Sequence, residues 1–126
     1  MKYKELFRQA QEMIPMAYAP FSKFKVGAAL LSKSGTVYTG VNVENSSFGA
    51  TICAERTAFV KAISEGEREF EAIAIVSSDG EALPCGICRQ FMKEFCDDDF
   101  KIISGDDEES LRVFDLEELL PEGFRL

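Results

Sequence analysis

The 126-residue sequence contains no histidine. This absence excludes Ser-His-Asp and Cys-His catalysis, proton transfer by imidazole, and every metal site that includes a histidine ligand. Tryptophan is also absent, and 11 phenylalanines supply most of the aromatic side chains. Any metal or catalytic site in this chain must therefore be built from cysteine, carboxylate and other polar groups.

Positive charge is scarce, since 14 Lys and Arg residues stand against 22 Asp and Glu residues and leave a net charge of −8. An acidic surface repels phosphate, so neither a nucleic-acid polymer nor an anionic membrane is expected as a partner. No apolar run approaches the roughly 20 residues that a transmembrane helix needs. The length and the 46% hydrophobic content predict one folded domain over residues 1–126. The negative charge is compatible with a small neutral or cationic substrate.

The four cysteines are Cys53, Cys85, Cys88 and Cys96. An even number could form two disulfides in a secreted protein. However, the first residues, MKYKELFRQAQEM, have the pattern of a charged amphipathic helix and no apolar signal-peptide core. We therefore expect a cytoplasmic protein with reduced thiols, in which clustered cysteines are metal ligands or reactive groups.

Hydrophobic periodicity alternates between helical and strand patterns along the chain. Helical spacing predicts helices over residues 2–17, Ile52–Ser64, Cys85–Phe95 and Asp115–Leu120. Apolar or alternating runs predict five strands over Val26–Leu31, Val37–Val43, Ala72–Val76, Lys101–Ser104 and Leu111–Phe114. Ser34-Gly35 predicts a hairpin turn between the first two strands. A hairpin followed by alternating strands and helices predicts an α/β layered domain with a mixed sheet.

Cys53 and Glu55 stand at the start of one predicted helix, and Cys85 and Cys88 at the start of another. A Cys-x-x-Cys pair at a helix N-terminus can direct both sulfurs to one centre, and the helix dipole favours the thiolates that bind zinc. With Cys53 as a third ligand, the fourth coordination position is left for water, as in catalytic zinc sites. Glu55 is close enough to exchange protons with a water that zinc makes acidic.

A Cys-x-x-Cys pair alone could equally be a redox pair or half of a structural zinc site. A structural site needs a fourth ligand, and Cys96 is the only spare cysteine. Eight helical residues separate it from Cys88, about 12 Å along the axis, so it is expected to be a small buried apolar residue. Cys-x-Glu combined with Pro-Cys-x-x-Cys matches the zinc-deaminase signature, with cysteine in place of its histidine ligand.

At these motifs the sequence resembles the small homotetrameric zinc-dependent cytidine deaminases. The similar segments are TICAERTA (51–58), PCGICRQF (84–91), YAPFSKFKVGAALL (18–31), GVNVEN (40–45), KAISEGE (61–67) and ELLPEGF (118–124). The resemblance implies a three-layer α/β/α fold with a mixed sheet of about five strands. It also implies a hydrolase of pyrimidine salvage that removes the C4 amino group of cytidine or deoxycytidine and yields uridine or deoxyuridine and ammonia.

The resemblance also implies site residues. One Zn²⁺ per subunit would be held by Cys53, Cys85 and Cys88, with Glu55 as the proton shuttle. Arg56 would donate hydrogen bonds to the sulfurs and withdraw their excess negative charge. The substrate-binding positions implied are Asn42 and Glu44 for the ribose hydroxyls, Phe24 for the pyrimidine face, the Ala54 backbone for the base edge, and Phe48 and Phe124 for the pocket of a neighbouring subunit in a homotetramer.

Two positions depart from the family pattern, because Phe21 and Phe48 stand where the family commonly has tyrosine. The missing phenol at Phe48 removes a hydrogen bond worth about 1 kcal/mol, which predicts weaker nucleoside binding or a shifted sugar preference.

Other interpretations of the same residues stay open. Asn42 and Glu44 could lie at a solvated strand edge, Phe24 could belong to the core, and Arg56 could be an ordinary surface residue. A deaminase of another aminopyrimidine nucleoside, such as blasticidin S, is the nearest alternative function, although the intact GVNVEN and CAERTA segments favour cytidine. A zinc-stabilised interaction module without catalysis is a third, against which Glu55 argues, since a structural site has no use for that carboxylate.

Overall fold

The computed structural model describes residues 2–126, in which four α-helices pack on a mixed sheet of six strands. The elements are α1 (Lys2–Met13), β1 (Val26–Ser32), β2 (Val37–Val41), α2 (Ala54–Ser64), β3 (Phe70–Ser77), β4 (Gly80–Glu81), α3 (Gly86–Phe95), β5 (Lys101–Gly105), β6 (Leu111–Asp115) and α4 (Leu116–Leu119). The main sheet order is β2-β1-β3-β5-β6, and β4 pairs with β3. Only β3 and β5 pair in parallel among the strands described, so the predicted mixed sheet is confirmed.

Most element boundaries differ from the sequence prediction by one or two residues, and three differences have a clear physical cause. The helix predicted over residues 2–17 ends at Met13 and continues as a 3₁₀ turn, because Pro15 lacks the N–H that an α-helix needs. The second helix begins at Ala54 rather than at Ile52, whose backbone pairs with Val43 instead. The sheet has six strands rather than about five, because Gly80–Glu81 turns back onto β3 and is too short to give a periodic pattern.

Helices cover both faces of the sheet. On one face α1 packs Leu6, Phe7 and Ala10 against β1, β3 and β5. On the other face α2 and α3 pack Ala58, Phe59 and Met92 against the opposite side of the same strands. Every residue of β1 is buried because both of its faces are covered. This arrangement is the predicted three-layer α/β/α fold.

Gly40 allows β2 to lie against the first turn of α2. A Cβ atom at this position would stand 2.5 Å from the Ala58 nitrogen and 2.6 Å from the Ala54 carbonyl oxygen, distances that no side chain tolerates. The close approach places the end of β2 beside the residues at the start of α2. Those residues include Cys53 and Glu55.

None of the helices found in residues 2–126 has the length and apolar character required to cross a membrane.

Candidate active site

Val43, two residues beyond the end of β2, joins three segments of the chain. Its backbone pairs in both directions with Ile52, at N···O distances of 3.0 Å, and it forms a parallel bridge with Tyr18. The Glu44 N–H also donates to the Tyr18 carbonyl at 2.8 Å. The loop that follows Tyr18, the segment 42–44 and the start of α2 therefore lie side by side. Each of them supplies residues to one cavity.

The three cysteines of the predicted metal site meet where two helices begin. Cys53 directly precedes α2, Cys85 directly precedes α3, and Cys88 lies in the first turn of α3. Their sulfur atoms all lie within 4.8 Å of one another, and the Cys53 and Cys85 sulfurs are 3.8 Å apart. A tetrahedral site with Zn–S bonds of about 2.3 Å has an edge of about 3.8 Å. The spacing and the chemistry of this donor set therefore fit zinc.

Charge at the cysteine cluster also favours metal binding. A hydrogen bond from the Cys88 thiol and the nearby Arg56 guanidinium lower the pKa of Cys53 to about 5. Arg56 donates to the Cys53 sulfur at 3.6 Å, while its Nε is buried without a protein partner among residues 2–126. A thiolate is thus stable here at neutral pH, and the guanidinium offsets its charge.

Glu55 is the buried carboxylate of the site, with only 4% of its surface exposed. Burial raises the pKa of Glu55 to about 7, and the nearby Cys53 thiolate raises it further. A carboxyl group with this pKa can both accept and donate a proton near neutral pH, which suits a general acid–base group.

A cavity of about 300 Å³ opens beside the cysteine cluster. Most of the predicted site residues line it, namely Phe24, Asn42, Glu44, Cys53, Ala54, Glu55 and Cys85. Phe24 is 39% exposed and so is not a core residue. Ser22, Thr51 and Leu83 also line the cavity and were not singled out from the sequence, although each lies within or beside one of the motifs.

Asn42 and Glu44 lie in the segment that follows β2, line this cavity, and are both tied to the preceding loop. The Asn42 amide donates to the Phe24 carbonyl at 2.7 Å and accepts from the Val26 N–H at 2.9 Å. Glu44 accepts hydrogen bonds from the backbone of Phe21 and Ser22. The two residues therefore shape the loop as well as face the cavity, and the solvated-edge interpretation does not describe them.

Phe48 and Phe124 do not line the cavity of their own chain. Phe48 is 76% exposed and packs its ring edge-to-face on Phe21, with 5.9 Å between centroids. Phe124 is 62% exposed and borders a separate groove on α3, beside Phe91 and Phe95. Their predicted contribution to a neighbouring subunit's pocket stays a prediction.

One further residue, Arg89, holds the start of α3 in place. Arg89 donates to the Pro84 carbonyl at 2.7 Å and to the Leu119 carbonyl at 2.8 Å, and so ties the residue before Cys85 to the end of α4. Its position directly after Cys88 was the available sequence signal. Cys96 is only 2% exposed and packs in the core, away from the metal cluster, as the sequence predicts.

Comparison with known proteins decides the family. Residues 1–104 match the family model described as the cytidine and deoxycytidylate deaminase zinc-binding region. The chain belongs to this deaminase family. A cytidine deaminase of Sporosarcina psychrophila is 44% identical over 129 residues, which cover 98% of this chain and 92% of that protein.

Structural similarity to other members of the deaminase family is equally extensive. The crystal structure of cytidine deaminase from Burkholderia pseudomallei superimposes with a TM-score of 0.91 at 42% identity, and covers 98% of this chain and 100% of that one. A blasticidin-S deaminase of Bacillus cereus is a weaker match, at 32% identity over 126 residues, 93% of this chain and 88% of that protein. The predicted deaminase family, zinc cofactor and fold are thereby confirmed.

Proposed function

We propose that this chain catalyses the zinc-dependent hydrolytic deamination of cytidine and deoxycytidine to uridine and deoxyuridine, with release of ammonia, in pyrimidine salvage. One observation carries the proposal above all others. Three cysteine sulfurs within 4.8 Å of one another stand beside a buried carboxylate at a cavity that a small molecule can enter.

Cys53, Cys85 and Cys88 would hold the metal as thiolates. When bound there, Zn²⁺ supplies hydroxide near neutral pH by lowering the pKa of a water in its fourth coordination position. Arg56 balances the negative charge of the three thiolates through its hydrogen bond to Cys53, which keeps the site from becoming too electron-rich to acidify water.

Glu55 moves the protons of the reaction. Its carboxylate takes one proton from the water that attacks C4 and delivers it to N3. It then takes the proton left on the new C4 hydroxyl and delivers it to the amino group, so the C4–N bond breaks and ammonia leaves as the C4 carbonyl forms. One water is consumed and one ammonia leaves, so Glu55 returns to its starting state. The pKa of about 7 that burial gives this group supports transfer in both directions.

The other cavity residues hold the nucleoside. Phe24 packs against the pyrimidine, the Ala54 backbone binds the edge of the base, and Asn42 and Glu44 bind the ribose hydroxyls. Their common position on the wall of one cavity supports these roles. A carboxylate is an acceptor only, and hydroxyl groups of a sugar are donors that match it.

We further propose a cytoplasmic homotetramer in which Phe48 and Phe124 complete the pockets of neighbouring subunits. Both rings are exposed in the single chain, and Phe124 adjoins an apolar groove on α3. Large exposed apolar side chains that cluster beside such a groove are typical of interaction surfaces.

An absorbance assay tests the proposed function. Purified zinc-loaded protein is incubated with cytidine, deoxycytidine or blasticidin S, and deamination is followed in the ultraviolet. We expect turnover of cytidine and deoxycytidine well above that of blasticidin S. Preferential turnover of blasticidin S would favour the alternative deaminase, and no turnover of any of the three would overturn the proposal.

A further inference from the structure

In the loop between the 3₁₀ turn at Ile14–Met16 and β1, three hydrogen-bond donors share one carboxylate acceptor. Glu44 Oε1 accepts the Phe21 N–H at 2.9 Å and the Ser22 N–H at 3.1 Å, and Glu44 Oε2 accepts the Ser22 hydroxyl. These hydrogen bonds, that of the Ser22 hydroxyl above all, hold the pKa of Glu44 below its usual range. Both oxygens of the carboxylate are thus fixed in place from one side.

The Ser22 hydroxyl can point in only one direction. The Phe24 N–H donates to Ser22 Oγ at 3.0 Å, so that oxygen acts as an acceptor from the loop backbone. Its own proton is then directed at Glu44 Oε2, because a carboxylate accepts and never donates when ionised. Ser22 therefore transmits the position of the Phe24 backbone to the carboxylate of Glu44.

Phe24 itself has a second, independent support. The Asn42 amide donates to its carbonyl at 2.7 Å, and the same side chain accepts the Val26 N–H at the start of β1. Loss of the Ser22 hydroxyl thus leaves one side of Phe24 held. The carboxylate of Glu44 loses the only side-chain donor to it among residues 2–126 and keeps two backbone donors, both to Oε1.

One residue of this loop has a backbone conformation that is unfavourable for any residue with a Cβ atom. Lys23, between Ser22 and Phe24, has a φ of 63°, in the left-handed region that disfavours residues with a Cβ. Such a conformation persists where neighbouring contacts hold it. Those contacts include the hydrogen bond from the Phe24 N–H to Ser22 Oγ and the one from the Ser22 N–H to Glu44. The N–H of Lys23 itself donates to the Ala19 carbonyl at 3.0 Å.

We propose that Ser22 is a positioning residue for sugar recognition, whose hydroxyl orients Glu44 Oε2 toward the hydroxyls of the nucleoside. This inference rests on the proposed binding of a nucleoside in the cavity. It adds to that proposal a role for Ser22, which contacts Glu44. Ser22 is exposed and lines the cavity, so the role does not depend on core packing.

Binding of a product and of its dideoxy analogue separates this role from a general structural one. Uridine and 2′,3′-dideoxyuridine are titrated calorimetrically into zinc-loaded wild-type, Ser22→Ala and Ser22→Thr proteins. We expect Ser22→Ala to weaken uridine binding about five- to tenfold, the size of an ordinary net hydrogen bond, because the backbone donors of Phe21 and Ser22 still hold Glu44 Oε1. Dideoxyuridine binding should weaken by less than about twofold. Ser22→Thr keeps the hydroxyl and should restore uridine binding to within about twofold of wild type.

Ser34→Ala is a matched control, since it removes another serine-to-glutamate hydrogen bond, 2.8 Å from Ser34 Oγ to Glu67, at the hairpin turn outside the cavity. It should leave binding of both ligands unchanged. Equal losses for uridine and dideoxyuridine in Ser22→Ala, or no loss for either, would overturn the inference. So would a Ser22→Thr protein as weak as Ser22→Ala.

The binding measurement does not require turnover. A wild-type protein that binds uridine with the expected Ser22 dependence but does not deaminate cytidine would contradict the proposed function while supporting the inference. The opposite outcome is a wild-type protein that deaminates cytidine, together with a Ser22→Ala variant in which the ratio of KM for cytidine to KM for 2′,3′-dideoxycytidine is unchanged. That outcome would support the proposed function and contradict the inference.

Discussion

The two ends of the cavity are built in different ways. At the metal end, Cys88 and Glu55 are buried and stand in the first turns of two helices that pack on the sheet. At the end that we propose binds the sugar, Ser22 is exposed and Glu44 is half-buried, and side-chain hydrogen bonds hold the loop that contains Ser22. The chemistry needs a rigid and shielded environment, whereas the sugar end must admit and release substrate. Damage at the metal end should therefore lower turnover, and damage at the sugar end should raise KM.

Removal of a metal ligand should have the largest effect. Each of the substitutions Cys53→Ala, Cys85→Ala and Cys88→Ala should abolish zinc binding and turnover. The cluster consists of three cysteines, and a catalytic zinc ion needs three protein ligands. Zinc content by atomic absorption and cytidine turnover are measured on the same samples. Cys96→Ala is the control and should keep about one zinc per chain and full activity. Loss of zinc from Cys96→Ala with retention in Cys53→Ala would show that the metal lies elsewhere.

Glu55→Gln should lower kcat by about 10²- to 10⁴-fold or more, because an amide cannot relay protons. Zinc content and uridine affinity should stay close to those of wild type, since the substitution keeps the shape of the side chain. Steady-state kinetics, zinc analysis and calorimetry together check this outcome. Near-normal turnover in the zinc-loaded variant would remove Glu55 from the mechanism.

Glu44→Gln should act on KM rather than on kcat. The amide loses the charge that receives sugar hydroxyls and brings N–H groups toward the donors of Phe21 and Ser22. Hydrogen bonds to charged groups contribute about 1.5–3 kcal/mol, so KM for cytidine should rise about 10- to 100-fold while kcat changes much less. Steady-state kinetics with cytidine and 2′,3′-dideoxycytidine measure the effect. A fall in kcat at constant KM would show that Glu44 acts on the chemical step and not on sugar binding.

Phe124→Ala should have the smallest effect, a rise in KM of about three- to tenfold at unchanged zinc content, if the ring lies over a neighbour's pocket. Val113→Ala removes a similarly exposed apolar side chain on β6 and should leave KM unchanged. Steady-state kinetics measure KM for both variants, and light scattering measures their oligomeric state.

Subunit mixing sharpens the prediction for Phe124. A zinc-free Cys53→Ala subunit and a Phe124→Ala subunit should partly restore wild-type KM when they assemble together, because each supplies what the other lacks. A fully active monomer at assay concentration would contradict shared pockets.

The sequence predicts the metal end better than the sugar end, for a physical reason. Cys53 and Glu55 stand at one helix start, and Cys85 and Cys88 at another, so residue spacing sets the geometry within each pair. Packing of both helices on the same face of the sheet brings the two pairs together. The hydrogen bonds of Ser22 and Glu44 depend on how a loop lies across the end of β2, which no periodicity reports. The helices and long strands follow from apolar patterns, but the two-residue β4 and the 3₁₀ turn at Pro15 are too short or too local to be predicted that way.

The most direct test of zinc-dependent deamination measures zinc content and cytidine turnover together through chelation and readdition of zinc. Because the three thiolates form one site, turnover should fall in proportion to the zinc removed and return as the protein regains about one zinc per chain. Unchanged turnover after complete removal of zinc, or no turnover in fully zinc-loaded protein, would contradict the account.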